Sequence, residues 1–150
     1  MATIINADTS DGLKLTSDTS GQIDFQSAGS TKALIDTSGN LKFNSGFGSA
    51  ATAYGCRAWV NFDGTGTVAI RESGNVSSIT DYAVGQYGVN FTTAMPDVNY
   101  SGNVSARLTG GIAWCSANHT TAPLTTTFRL AIANNGAFYD SEYISASIFR

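Results

Sequence analysis

Charged side chains are scarce in this sequence. Asp, Glu, Lys and Arg make up 13% of its 150 residues, about half the usual share of roughly 25%. Ser, Thr, Asn and Gly must therefore supply most of the polar surface, which is typical of turn-rich β proteins and not of helical ones. The formal net charge of -3 offers no basic face, so we expect no nucleic-acid partner.

Long apolar runs are also absent. No stretch approaches the ~20 consecutive apolar residues that a membrane-spanning helix needs. The first residues, MATIINADTSDG, lack a basic segment followed by an apolar one, so we expect no secretory signal peptide.

Residues that bind metals or catalyse reactions are few. The two cysteines, Cys56 and Cys115, are too distant in sequence for a metal knuckle. We expect both to be small buried residues, with a disulfide as the open alternative. The single histidine, His119, lies in a polar loop phrase. Asp140 and Glu142 are two nearby carboxylates, as in the catalytic pair of a glycosidase. Their turn-like surroundings instead favour capping of backbone amides. We therefore expect no enzyme, no metal and no cofactor.

One short phrase occurs three times near the N-terminus. It reads DTSDGLKL at 8–15, DTSGQIDF at 18–25 and DTSGNLKF at 36–43. Asp and Ser cap their own backbone in turns, and Gly accepts a positive φ. An alternating apolar pair follows each turn and predicts a short strand with one buried face. These pairs are Leu13 and Leu15, Ile23 and Phe25, and Leu41 and Phe43.

This repeat region is too poor in apolar side chains to fold alone. Residues 1–46 carry ten large apolar side chains, whose burial contributes ~2–3 kcal/mol each, against about 1.5 kcal/mol of lost entropy for every ordered residue. The alternatives are disorder or burial against other chains, and the regular pairs favour the second. We expect three or so chains to intertwine as a stem, with the six residues of the pairs as its core. Small residues at 47–55 predict a linker.

The remaining residues, 56–150, predict an antiparallel β-sandwich or barrel. Short apolar segments alternate with Gly- and Asn-containing turns, and no helical periodicity occurs. Trp59 and Trp114 lie within such segments, so we expect both in the core. The predicted strands are 56–62, 67–73, 76–80, 86–92, 99–108, 111–115, 125–133 and 142–150.

The segment CRAWVNFDGTGTVAIRESGNVSSITDYAVGQYGVNFTTAMPD at 56–97 resembles a domain found at the ends of bacteriophage tail fibre proteins. The upstream segment at 11–43 is similar to those that precede such domains in fibres of marine and cyanobacterial phages. The resemblance implies a homotrimer in the virion, made in the host cytoplasm. It also implies that the N-terminus docks on a baseplate or tail hub protein, and that the C-terminal domain adheres to the host surface.

With the adhesion that the resemblance implies, we expect the receptor to be a host-surface polysaccharide, because exposed tyrosines beside amides suit sugar recognition. A capsid-decorating fibre or cement protein is the structural alternative, and a surface-glycan hydrolase is the enzymatic one. The candidate receptor-binding residues, chosen for their loop positions, are Tyr82, Tyr87, Asn118, His119, Asn134 and Asn135.

Overall fold

The computed structural model describes residues 21–46, 48–108, 113–117 and 122–150. Every regular element in these ranges is a β-strand, which confirms the predicted all-β class. No helix in the described part of the chain is long and apolar enough to cross a membrane. The chain divides into two units, Met1–Ala53 and Tyr54–Arg150.

The first unit contains a four-stranded antiparallel sheet, here called the N-terminal sheet. Its strands follow one another in chain order. They are β1 (Ile23–Ser27), β2 (Ser30–Ile35), β3 (Leu41–Phe43) and β4 (Ala51–Thr52). Because β4 pairs with β3, the predicted linker at 47–55 is wrong for these two residues, which belong to the sheet.

The repeated phrase forms the predicted turn where the structure describes it, between β2 and β3. The Asp36 carboxylate accepts the backbone N–H groups of Ser38 at 3.0 Å and Asn40 at 2.9 Å. Gly39 follows with a φ of 80°, the left-handed conformation that glycine adopts without strain. Lys42 lies 2.8 Å from the same carboxylate. This lysine, together with the amide donors, holds the pKa of Asp36 well below its usual range. The first copy, at 8–15, lies outside the described residues.

The second unit is a sandwich of two antiparallel sheets and not a closed barrel. Its strands are β5 (Cys56–Asp63), β6 (Ala69–Gly74), β7 (Val76–Ala83), β8 (Gln86–Phe91), β9 (Ser101–Ala106), β10 (Ala113–Ala117), β11 (Thr127–Asn134), β12 (Ala137–Phe138) and β13 (Ile144–Phe149). One sheet, here called the front sheet, has the order β6-β5-β13-β9. The other, the back sheet, has the order β10-β11-β8-β7, with β12 pairing on β11.

All eight strands predicted for this unit are present, with ends shifted by at most three residues. The two-residue strand β12 was not predicted, because Ala137 and Phe138 are too few to show alternation. Strand β12 follows a tight turn in which Asn135 and Gly136 both have a positive φ, 49° and 85°. This is the Asn-Gly turn that closes two-residue hairpins.

One core lies between the two sheets. Alternate residues of β5 and β13 face alternate residues of β8 and β11, as a strand period of two requires. The largest fully buried side chains are Tyr87, Phe62, Leu130, Ile132, Ile144, Ile148, Val60 and Val89. Phe62 and Tyr87 meet edge to face, with ring centroids 5.3 Å apart, so the two sheets are in direct aromatic contact.

A single residue, Asn75, carries the chain from the front sheet to the back sheet. It adopts a φ of 57° between β6 and β7. Its side chain accepts the backbone N–H of Thr93 at 2.7 Å and donates to the carbonyl oxygens of Thr93 and Arg57, each at 3.1 Å. Asn75 therefore ties three separate segments together at one corner of the sandwich.

Candidate functional site

Tyr87 is a core residue and not part of an exposed patch. Its side chain is 0% exposed because it continues the inward alternation of Val89 and Phe91 along β8. The hydroxyl donates to Asp140 Oδ1 at 2.6 Å and lies 2.9 Å from the Gly64 carbonyl oxygen. Burial, followed by the hydrogen bond to Asp140, raises the pKa of Tyr87 far above its usual range. The prediction that Tyr87 contacts a receptor is therefore wrong.

Tyr82 is exposed, as its predicted role requires, at 46% of its surface. Its ring lies on the outer face of the back sheet against Gly88, where an added Cβ would fall 2.9 Å from Tyr82 Cε2. The Arg129 guanidinium sits 4.2 Å from the ring centroid, a cation–π distance. Tyr82 is thus held in place by two neighbours on its own sheet.

Asn134 and Asn135 lie at the hairpin that joins β11 and β12. Asn135 is exposed at the turn, whereas Asn134 is half-buried, and its Oδ1 is buried without a hydrogen-bond partner among the described residues. Asn118 and His119 lie outside the described ranges. Asn135 lies six positions after Arg129, just beyond the end of β11, which is about 20 Å at ~3.3 Å per residue. The structure therefore does not gather Tyr82 and Asn135 into one site.

The N-terminal sheet places most of its apolar side chains on one face. Directly paired residues share a face in an antiparallel sheet. Ile23 pairs with Ile35, which pairs with Leu41. Phe25 pairs with Ala33, which pairs with Phe43, and Phe43 pairs with Ala51. These two rows form what is here called the apolar face, and they consist of Ile23, Ile35, Leu41, Phe25, Ala33, Phe43 and Ala51.

Much of the apolar face is uncovered in the single chain. Phe25 is 41% exposed, Leu41 51% and Phe43 46%, while Ile23 is half-buried. The opposite face carries Asp24, Leu34, Lys42 and Thr52. The four predicted stem residues in the described ranges thus share one surface. Leu13 and Leu15 lie outside those ranges.

Both tryptophans are exposed, so the expectation that they lie in the core is wrong. Trp59 is 41% exposed and Trp114 is 65% exposed. Ala58, Val60 and Phe62 occupy the inward positions of β5, so strand alternation forces Trp59 outward. The period of two was visible in the sequence and would have identified Trp59 as a surface residue.

Trp114 lies on the outer face of the back sheet. It pairs with Ala133, which pairs with Phe138 on β12, and Phe138 is 53% exposed. The two large rings therefore flank one alanine on a second exposed apolar surface.

The carboxylates and cysteines that the sequence offered as candidates for catalysis or metal binding do not form a reactive cluster in the described residues. Asp140 accepts the Gly85 N–H at 2.7 Å in addition to the Tyr87 hydroxyl, which confirms the predicted capping role. Glu142 is exposed, 4.0 Å from Arg107. Cys56 is free and exposed, against expectation, and Cys115 is free and half-buried. No group of three potential metal ligands occurs in the ranges that the structure describes.

No protein-family model matches the chain, and no curated protein or solved structure matches it either.

Proposed function

We propose that this chain is a structural protein of a phage virion, a homotrimeric tail fibre. Its N-terminal sheet assembles with those of two other copies, and its N-terminus docks on a baseplate or tail hub protein. The sandwich binds a polysaccharide of the host surface. The chain acts by binding, without catalysis and without a cofactor.

The observation that carries the proposal is the apolar face of the N-terminal sheet. Phe25, Leu41 and Phe43 are each more than two-fifths exposed, although full burial of such a side chain contributes ~1.5–3 kcal/mol. A contiguous exposed apolar surface of this kind marks an interaction site. Copies of the same chain supply the same surface, and symmetric association of identical chains is the usual route to burial.

The tail location and the number of copies come from the sequence resemblance at 56–97. A trimer brings three sandwiches together on one fibre, and several fibres on one particle multiply the contacts. Weak binding by each sandwich is then raised by avidity, by a factor of roughly 100 or more.

Immunogold electron microscopy of the parent virion, with an antibody against residues 54–150, tests this function. The proposal expects gold at the tail, and blocking of adsorption by the same antibody. Gold over the capsid would instead identify a decorating or cement protein. Absence of gold from purified particles would contradict both virion roles.

A further inference from the structure

The outer face of the front sheet carries two ordered rows of side chains. Trp59 on β5 pairs with Ser147 on β13, which pairs with Asn103 on β9. Asn61 pairs with Ser145, which pairs with Ser105, on the same three strands. Small serines therefore occupy the central strand, with Trp59 and Asn61 on one side of it and Asn103 and Ser105 on the other.

This arrangement produces a groove along β13. Its walls are two strand spacings apart, roughly 10 Å, and its volume is about 340 Å³. The side chains of both rows line it, and the intervening residues Val60, Val104 and Ala146, whose side chains face the core, form its floor. This volume is at the lower end of the range for small-ligand sites. It suits a ligand of one or two small rings.

Trp59, on the β5 side of this groove, is held by a glycine of β6, the neighbouring strand outside the groove. Gly74 lies beside it on β6, and a Cβ on Gly74 would fall 2.5 Å from Trp59 Nε1 and 2.9 Å from Cδ1. The five-membered ring of the indole therefore rests directly on the backbone of β6. This contact holds the ring while 41% of the residue stays exposed.

The polar groups of the groove are uncharged. Asn61 Nδ2 donates to Ser145 Oγ at 2.9 Å, which orients both side chains. The Asn103 amide and the hydroxyls of Ser105 and Ser147 complete the polar lining. No Asp, Glu, Lys or Arg lines the groove, so its chemistry complements a neutral ligand that both donates and accepts hydrogen bonds.

We infer that this groove binds a neutral saccharide. A sugar presents an apolar C–H face to an aromatic ring and a rim of hydroxyls to amides and serines, and these are the groups that line the groove. The class of ligand in this inference rests on the proposed function. The position of the binding site, however, differs from the one that the sequence predicted. The earlier candidates lie on the back sheet, in its hairpin or outside the described ranges, whereas this groove lies on the front sheet.

The test uses the full-length protein on a microbial glycan array. Wild type is compared with Trp59→Ala, Gly74→Ala and the matched control Trp114→Ala, which removes an indole from the other sheet. We expect wild type and Trp114→Ala to bind a neutral glycan alike. Trp59→Ala should weaken binding about tenfold or more. Gly74→Ala should do the same by displacing the ring, because the φ of Gly74 is not in the left-handed region and alanine fits the backbone there.

Fluorescence provides a second readout, since the chain has only two tryptophans. Trp114→Phe leaves Trp59 as the sole indole, and Trp59→Phe leaves Trp114. Titration with the array-positive glycan should change the emission of the first variant and not of the second.

Three results would overturn the inference. The first is binding that survives Trp59→Ala, and the second is absence of binding to every neutral glycan. The third is Trp59 emission, measured in the assembled Trp114→Phe variant, that acrylamide does not quench. That result would make the groove an interface between copies. These results are distinguishable from failure of the proposed function. A trimer found at the virion tail whose binding does not need Trp59 would keep the function and reject the groove.

Discussion

At the scale of single residues, Tyr87 and Trp59 show what alternation decides. Both are aromatic residues within short strands, yet one is fully buried and the other is 41% exposed. Their positions relative to Val89 and Val60, which face the core, determine this outcome. A strict period of two predicts both placements. The partner of Tyr87 was not predictable, because Asp140 is 53 residues away in sequence.

Replacing Tyr87 with phenylalanine tests the buried hydroxyl. The Tyr87→Phe variant removes the buried hydroxyl that donates to Asp140 Oδ1 and lies 2.9 Å from the Gly64 carbonyl oxygen, while the Gly85 N–H still donates to the same Oδ1. We expect the free energy of unfolding to fall by about 1–3 kcal/mol, measured by urea denaturation. Tyr82→Phe is the matched control on the surface and should change stability by less than about 0.5 kcal/mol. Equal effects of the two substitutions would contradict the assigned roles.

The pH dependence of stability follows from the same residue. The pKa of Tyr87 is raised above its ordinary value of 10.0 in the folded protein, by burial and by Asp140. The unfolded chain therefore loses this proton first as the pH rises through 10, and the stabilisation is complete below that pH and declines above it. Wild type should lose stability between about pH 9.5 and 11 more steeply than Tyr87→Phe, by up to ~1.4 kcal/mol per pH unit. Parallel curves would contradict the raised pKa.

At the scale of elements, strands and turns were predictable and their sheet membership was not. The eight predicted strands of the sandwich follow from alternating apolar residues and Gly or Asn turns. The step from the front sheet to the back sheet depends on Asn75, whose side chain bonds to Thr93 and to Arg57, each 18 residues away. Such non-local contacts leave no local signal in the sequence.

Two substitutions of Asn75 distinguish the contribution of its backbone conformation to stability from that of its side-chain hydrogen bonds. Asn75→Gly keeps the positive φ and loses the side-chain hydrogen bonds, which should lower the free energy of unfolding by about 1–2 kcal/mol. Asn75→Ala loses the same bonds and adds left-handed strain of ~1 kcal/mol or more. Thermal unfolding should rank wild type above Asn75→Gly and Asn75→Ala lowest. Equal stability of the two variants would refute the strain at this position.

The apolar face of the N-terminal sheet permits a charge-matched pair of variants. Phe43→Asp puts a carboxylate on that face, and Thr52→Asp puts one on the opposite face. A charge on an interface must be desolvated when copies associate. We expect Phe43→Asp to give a smaller species in sedimentation velocity, and Thr52→Asp to sediment as wild type does. Dissociation by both variants, or by neither, would exclude this face as the contact between copies.

At the scale of the whole molecule, the two units differ in how far they bury their apolar side chains. The sandwich encloses its own core between two sheets. The N-terminal sheet has only one layer within the described residues and leaves its apolar face uncovered. The shortage of apolar residues in 1–46 predicted this difference from composition alone. The number of copies could not be derived that way, since burial of one face does not specify a trimer.

We propose that this chain works as an assembly of three copies. Light scattering coupled to size-exclusion chromatography of the full-length protein tests it most directly. We expect one species with three times the chain mass of 15.6 kDa, maintained on dilution to micromolar concentration. A stable species with the mass of a single chain would contradict it, because the apolar face would then be exposed in the working protein.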